Sequence, residues 1–213
     1  MNIKKLGHCC LIIETKGKRI LTDPGSYTTV QDEERNIDIV FITHEHPDHL
    51  HIESLKRVLS NNPSANIVTN SSVGKLLDAE GIPYQVVGHG TSTTLLDILF
   101  EGFGDHHAEI YKEFGQVENT GYFIENKLFY PGDAFTDPGK QVDVLALPVA
   151  GPWMKIHEAI DYALLLKPRV VFPVHDGMFE KDKIGPIYRI PTTVFPQNNI
   201  EFVQMEAGDE KEF

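Results

Sequence analysis

Residues 41–50 read FITHEHPDHL, and this segment constrains the chain more than any other. His44, His46, Asp48 and His49 fall within six positions, directly after the apolar run IDIVFIT at 37–43. The run is β-branched and aromatic, which predicts a strand buried on both faces. His44 and His46 sit two apart, so an extended or loop segment turns both to one side. Asp48 and His49 follow as a helix begins, displaced by a turn. Two positions that share a face plus two displaced ones can serve two neighbouring cations, whereas one cation would leave a ligand unused. Imidazole and carboxylate together suit zinc first, with manganese, iron and nickel as alternatives.

The rest of the chain supplies a frame for that cluster. NIKKLG and CCLIIET read as strands, KGKR as a hairpin turn, and RILTD as a strand ending at DPG. In HIESLKRVLSNN, Ile52, Leu55, Val58 and Leu59 share one helical face. Strand ANIVTN, helix SSVGKLLDAEG and strand YQVVG follow, then one or two strands in TTLLDILFEGFGD. TGYFIENKLFYPGD reads as a hairpin turning at Glu125–Asn126, VDVLALPV as a strand, IHEAIDYALLLK as a helix and RVVFPVHD as a last buried strand. The tail after Phe179 carries Pro186, Pro191 and Pro196, which predicts an irregular wrap ending in a frayed EAGDEKEF. Strand–helix alternation between strand-rich ends implies an α/β fold with helix-covered sheets. With 213 residues, one domain spanning 1–213 is expected. Asp23, His44, Asp133 and His175 each end an apolar strand, and such groups converge on one rim in layered α/β folds.

Composition narrows the partners. A formal net charge of −12 argues against a large nucleic acid, which needs a basic face. No apolar run reaches membrane-spanning length and the start MNIKKLGHCC lacks a secretory core, so the expected location is cytoplasmic with no membrane partner. Cys9 and Cys10 are adjacent, which disfavours a disulfide between them and leaves two small buried side chains. There is no G-x-S-x-G elbow and no glycine-rich phosphate loop.

THEHPDH matches the H-x-H-x-D-H signature of the metallo-β-lactamase superfamily, and the chain resembles that family over nearly its whole length. LTDPG resembles the family's early aspartate motif, DHHAEI its third-histidine segment, YPGDAF its bridging-aspartate segment and FPVHDGM its last-histidine segment. The opening LGHCCLIIE is most similar to the branch containing L-ascorbate-6-phosphate lactonase. The resemblance implies a four-layer αβ/βα sandwich and a hydrolase with two divalent metal ions. His44, His46 and His107 would bind one ion and Asp48, His49 and His175 the other, with Asp133 bridging. His106 and His107 are both candidates for the third histidine, and the subgroup's pattern favours His107. Asp23 would orient a ligating imidazole, and His8 would hydrogen-bond substrate or a metal ligand. Trp153, the only tryptophan, stands on a loop after a buried strand, as a pocket wall or as packing under the next helix. His51, His89 and His157 are expected to be solvated or capping.

Two cations about 3.5–4 Å apart would hold a bridging water and lower its pKa, giving hydroxide near neutrality. Asp48 and Asp133 are the expected catalytic carboxylates, and the substrate a small ester, lactone or phosphoester. The alternatives are a metal-binding protein of the same fold without turnover, and a phosphodiesterase or nuclease. His49 and the early cysteines argue against a β-lactamase proper, and no room follows residue 180 for a glyoxalase II-type helical domain. His46 stands where flavodiiron proteins carry glutamate. Lys112, Lys140, Lys155 and Lys181 are the candidate phosphate clamps, and the resemblance suggests a homo-oligomer.

Overall fold

The computed structural model describes residues 1–114, 116–180 and 183–213. Strands β1 (Asn2–Gly7), β2 (Cys10–Thr15) and β3 (Lys18–Thr22) form an antiparallel meander, its second turn closing at Lys16–Gly17 with both residues at positive φ. Positive φ at both central positions matches the right-handed twist of the flanking strands. Strands β4 (Ile39–Ile42), β5 (Asn66–Thr69) and β6 (Gln85–Val86) add in parallel. Their crossovers carry α1 (Ile52–Asn61) and α2 (Ser71–Ala79).

The second sheet begins antiparallel with β7 (Ser92–Leu95), β8 (Ile98–Phe103), β9 (Gly121–Ile124) and β10 (Leu128–Tyr130). TTLLDILFEGFGD is therefore two strands, joined by a positive-φ turn at Leu96–Asp97, and the β9–β10 hairpin turns at Glu125–Asn126 as expected. Strands β11 (Val144–Pro148), β12 (Val170–Val174) and β13 (Glu201–Phe202) continue in parallel, with α3 (Ile156–Leu166) crossing between β11 and β12.

Three apolar layers hold the four-layer sandwich together. Between the sheets, the Phe41 ring centroid lies 5.2 Å from that of Tyr122 and 5.3 Å from that of Tyr130. Leu55 and Val58 of α1 with Val73 and Leu77 of α2 cover the first sheet's outer face. Ala159 and Ala163 of α3 join Tyr188 and Phe195 on the second sheet's outer face. Among the described residues no helix is long and apolar enough to cross a membrane.

Two expectations for the tail are corrected. Gly185–Gln197 forms a helix, α4, despite Pro191 and Pro196 inside it. Tyr188, Pro191 and Phe195 recur at helical spacing on its buried face, and that burial outweighs the missing N–H groups. Pro186 sits in the first turn, where no donor is lost, and Thr192 Oγ1 donates to the Tyr188 carbonyl at 2.8 Å. The last residues are not frayed either. Glu210–Glu212 forms β14, antiparallel to β1, and Phe213 N donates to Met1 O at 2.8 Å. A free edge of β1 supplied partners that sequence periodicity cannot reveal.

Candidate metal centre

The ends of β3 and β4 meet first. Asp23, just past β3 at φ +35°, accepts the Thr43 amide on Oδ1 at 2.8 Å. Its Oδ2 accepts the Thr43 hydroxyl at 2.9 Å and the Tyr130 hydroxyl at 3.0 Å, and lies 2.8 Å from His49 Nδ1. A fully buried carboxylate needs such partners. The DPG loop then packs on the HPDH loop: Ser26 N donates to Pro47 O at 2.8 Å and His51 N to Pro24 O at 3.0 Å. A Cβ on Gly25 would stand 1.8 Å from the Asp48 carbonyl oxygen, so only glycine permits this approach. The 47–49 segment is a turn, and α1 begins only at Ile52.

His44, His49 and His107 are each held through Nδ1, which turns their Nε2 inward. His44 Nδ1 lies 3.0 Å from Thr43 Oγ1, and His107 Nδ1 donates to the Ala108 carbonyl at 2.6 Å. His44, His46 and His107 bring their ligand atoms within 4.8 Å of one another. The neighbouring His106 points outward, 78% exposed. Asp133 sits between the histidine groups. Its Oδ1 lies 3.2 Å from His49 Nε2, and its Oδ2 lies 2.8 Å from His175 Nε2 and 3.4 Å from His107 Nε2. Asp48 Oδ2 lies 3.4 Å from His175 Nε2 and 3.2 Å from His8 Nε2. All seven residues assigned as ligands from the sequence thus surround one rim.

Asp133 has a further partner. Trp153, 8% exposed, donates its indole Nε1–H to Asp133 Oδ2 at 2.9 Å. The ring reaches this position because Gly151 lacks a side chain: a Cβ there would meet Trp153 Nε1 at 2.6 Å. Trp153 is therefore neither a plain pocket wall nor plain packing. Of the partners expected for His8, the structure places Asp48 within hydrogen-bond reach. His8, Asp23 and His175 all hold positive φ, strain of the kind that clusters where side chains must be aimed. His51 and His157 are exposed, and His89 Nδ1 caps the Gly104 amide at 3.0 Å.

Cys9, Thr43 and Tyr130 escaped the sequence reading. Cys9 lies within 4.8 Å of ligand atoms on His8, His49 and His175. Burial pushes its thiol up, but those three histidines bring it down to about 6. Burial also opposes charge on His49 and His175, yet Asp133, with Cys9, raises both well above the ordinary imidazole value. His44 is lowered, by burial first and by His49 next. Burial opposes ionisation of Asp133, and His49 and His175 nevertheless hold it well below the carboxylate range.

A cation fits this donor set. His44 Nε2, His49 Nε2, His107 Nε2, both His175 nitrogens and Asp133 Oδ1 are buried without a hydrogen bond among the described residues. The short His175–Asp133 approach is too oblique for one. Each such orphan costs about 1–3 kcal/mol unless a ligand satisfies it, and inward-facing imidazoles with Nδ1 anchored are the usual arrangement for metal binding.

This fold and rim define a metal-dependent hydrolase of the metallo-β-lactamase type. Residues 2–175 match the family described as Beta-lactamase superfamily domain. The chain is 35% identical to Protein Rv0786c of Mycobacterium tuberculosis, over 88% of this chain and 90% of that one. It is 30% identical to UPF0173 protein PF0020 of Pyrococcus furiosus, over 85% and 86% respectively. Further relatives are named UPF0173 metal-dependent hydrolases. Igni18, a metallo hydrolase from Ignicoccus hospitalis, superposes with a TM-score of 0.78 at 24% identity, covering 100% of this chain and 98% of that one. The chain belongs to the β-lactamase superfamily and, within it, to the UPF0173 metal-dependent hydrolases.

Proposed function

We propose that this hydrolase works with two divalent metal ions and cleaves a small ester, lactone or phosphoester. The observation that carries the reading is the ring of inward-facing, unpaired nitrogens around Asp133. His44, His46 and His107 would hold one ion, and Asp48, His49 and His175 the other, with Asp133 between them. Nitrogen and carboxylate donors suit zinc, and also manganese, iron or nickel. Bound there, the ions supply Lewis acidity and an activated water.

The chain's own groups do the rest. Asp133 draws the two histidine sets together, and Trp153 fixes the rotation of its carboxylate. Burial opposes ionisation of Asp48, but His175 and His8 hold it well below the usual carboxylate range. It therefore stays ionised, as a carboxylate that holds a metal must, and its Oδ1 carries no hydrogen bond among the described residues. The opening LGHCCLIIE favours a lactone within this class, through its similarity to the ascorbate-phosphate lactonase branch.

Purified protein should carry about two metal ions per chain. His46→Ala and Asp133→Ala should each abolish hydrolysis of nitrophenyl ester and phosphodiester reporters. Full activity in metal-free protein would remove the proposal.

A further inference from the structure

His8 is shared between the candidate metal centre and a cavity of about 330 Å³. On one side its ring lies 4.2 Å from that of His175, and on the other 4.6 Å from that of Tyr27 at the exposed cavity rim. Gly177 N donates to His8 Nδ1 at 3.0 Å, so Nε2 carries the proton that faces Asp48. A group seated in the cavity therefore touches the residue that holds Asp48. We propose that the cavity receives the uncleaved body of the substrate, and that it selects an apolar, uncharged body with a hydrogen-bond donor over an anionic one. This rests on the hydrolytic reading above.

The selectivity follows from the buried wall. Lys5, 1% exposed, donates to Pro173 O at 2.9 Å, to Met205 O at 3.1 Å and to Asp176 Oδ2. An ammonium has three protons, so none remains for an incoming anion. The Tyr188 hydroxyl is spent on the same Asp176 Oδ2, which leaves Oδ1 without a hydrogen bond among the described residues. Glu206 adds a second carboxylate to the lining. A phosphate here would lose its water, meet two carboxylates and find its only lysine occupied. An amide or hydroxyl would instead donate to Asp176 while its apolar portion covers Val30 and Phe179. Of the lysines the sequence offered, Lys140 binds Glu101 and Asn126, Lys112 lies over Tyr111, and Lys155 stands at the N-cap of α3, where its backbone N–H donates to Glu158 Oε2. Lys181 lies outside the described residues.

Binding can be read without turnover. Zinc-loaded, nitrogen-15-labelled protein would be titrated with N-benzylacetamide and, separately, with benzyl phosphate, following backbone amide shifts. N-Benzylacetamide should shift Gly7, Thr28 and Ala207 saturably. Benzyl phosphate should shift the 44–49 segment and bind at the cavity amides at least about tenfold more weakly. Ala207→Trp, which fills the exposed rim, should weaken N-benzylacetamide at least about tenfold and leave the benzyl phosphate response intact. Glu206→Lys should narrow the gap between the two probes. Cavity shifts from benzyl phosphate at equal or lower concentration, or none from N-benzylacetamide, would overturn the proposal. Cavity binding with this selectivity by a protein that hydrolyses no ester, lactone or phosphoester would support the selectivity but remove the hydrolytic reading, and with it the cavity's role toward a substrate. Metal-dependent turnover with no cavity response would do the reverse.

Discussion

The indole Nε1 of Trp153 donates a 2.9 Å hydrogen bond to Oδ2 of Asp133, the carboxylate that stands between the two histidine groups. It is the only hydrogen bond on that oxygen among the described residues, and it comes from a loop 20 positions further along the chain. Groups behind a metal ligand typically matter at the level of about 10–100-fold in metal affinity or activity. Trp153→Phe keeps the ring and removes the donor. It should lower kcat/KM on an ester reporter by about 10–100-fold while leaving the unfolding midpoint of the metal-free protein within a few degrees. Steady-state kinetics beside thermal unfolding would separate the two effects.

Asp23→Asn tests the support behind His49. The amide cannot accept all of the donors from Thr43, Tyr130 and His49 that Asp23 now takes. Metal affinity should fall by about 10–100-fold, measured by competition with a chromogenic chelator.

His106→Ala and His107→Ala should behave oppositely although the residues are neighbours. His106 is exposed, and its removal should change stability by less than about 0.5 kcal/mol and leave metal content intact. His107 is buried against Asp133, and its loss should weaken one metal site by more than about a hundredfold. Elemental analysis after dialysis distinguishes them.

Metal binding should release protons. His49 and His175 are raised well above the ordinary imidazole value and must be neutral to ligate. Apparent affinity should therefore rise by at least about tenfold per pH unit between about pH 6 and pH 8. In the metal-free protein the sign is reversed. Groups with raised folded values contribute stability below the unfolded value and lose it as pH rises through the folded one. Metal-free protein should thus become less stable over the range in which loading becomes easier, and chemical denaturation at each pH would read this.

Gly25→Ala should destabilise by about 3 kcal/mol or more, because its methyl would overlap the Asp48 backbone. Urea unfolding of metal-free protein checks the magnitude without involving the ions.

Local pattern explains what could be read in advance. THEHPDH, LTDPG and YPGDAF each combine an apolar strand with the polar residue that ends it, so their arrival at one rim needed only the layered fold. Neither the Trp153–Asp133 bond nor the Cys9–His175 proximity has such a signal, since each pairs residues brought together by separate strands. Lys5 and Asp176 stand 171 positions apart, and a lysine in the pair Lys4–Lys5 of a short strand reads as solvent-facing. Proline content hid α4, whose existence depends on the apolar face it meets. β14 was hidden because three charged residues, EKE, carry no strand pattern of their own.

The outermost strands have a consequence for how copies of this chain can meet. The two sheets end at β14, β6, β13 and β7, of three, two, two and four residues respectively, and β14 exposes Glu210, Lys211 and Glu212. Ribbons this brief offer few unsatisfied amides to an approaching strand, and the charged one repels its own likeness. Fibrillar growth by continuing either sheet is therefore discouraged, which leaves helices and loops as the more favourable contacts between copies.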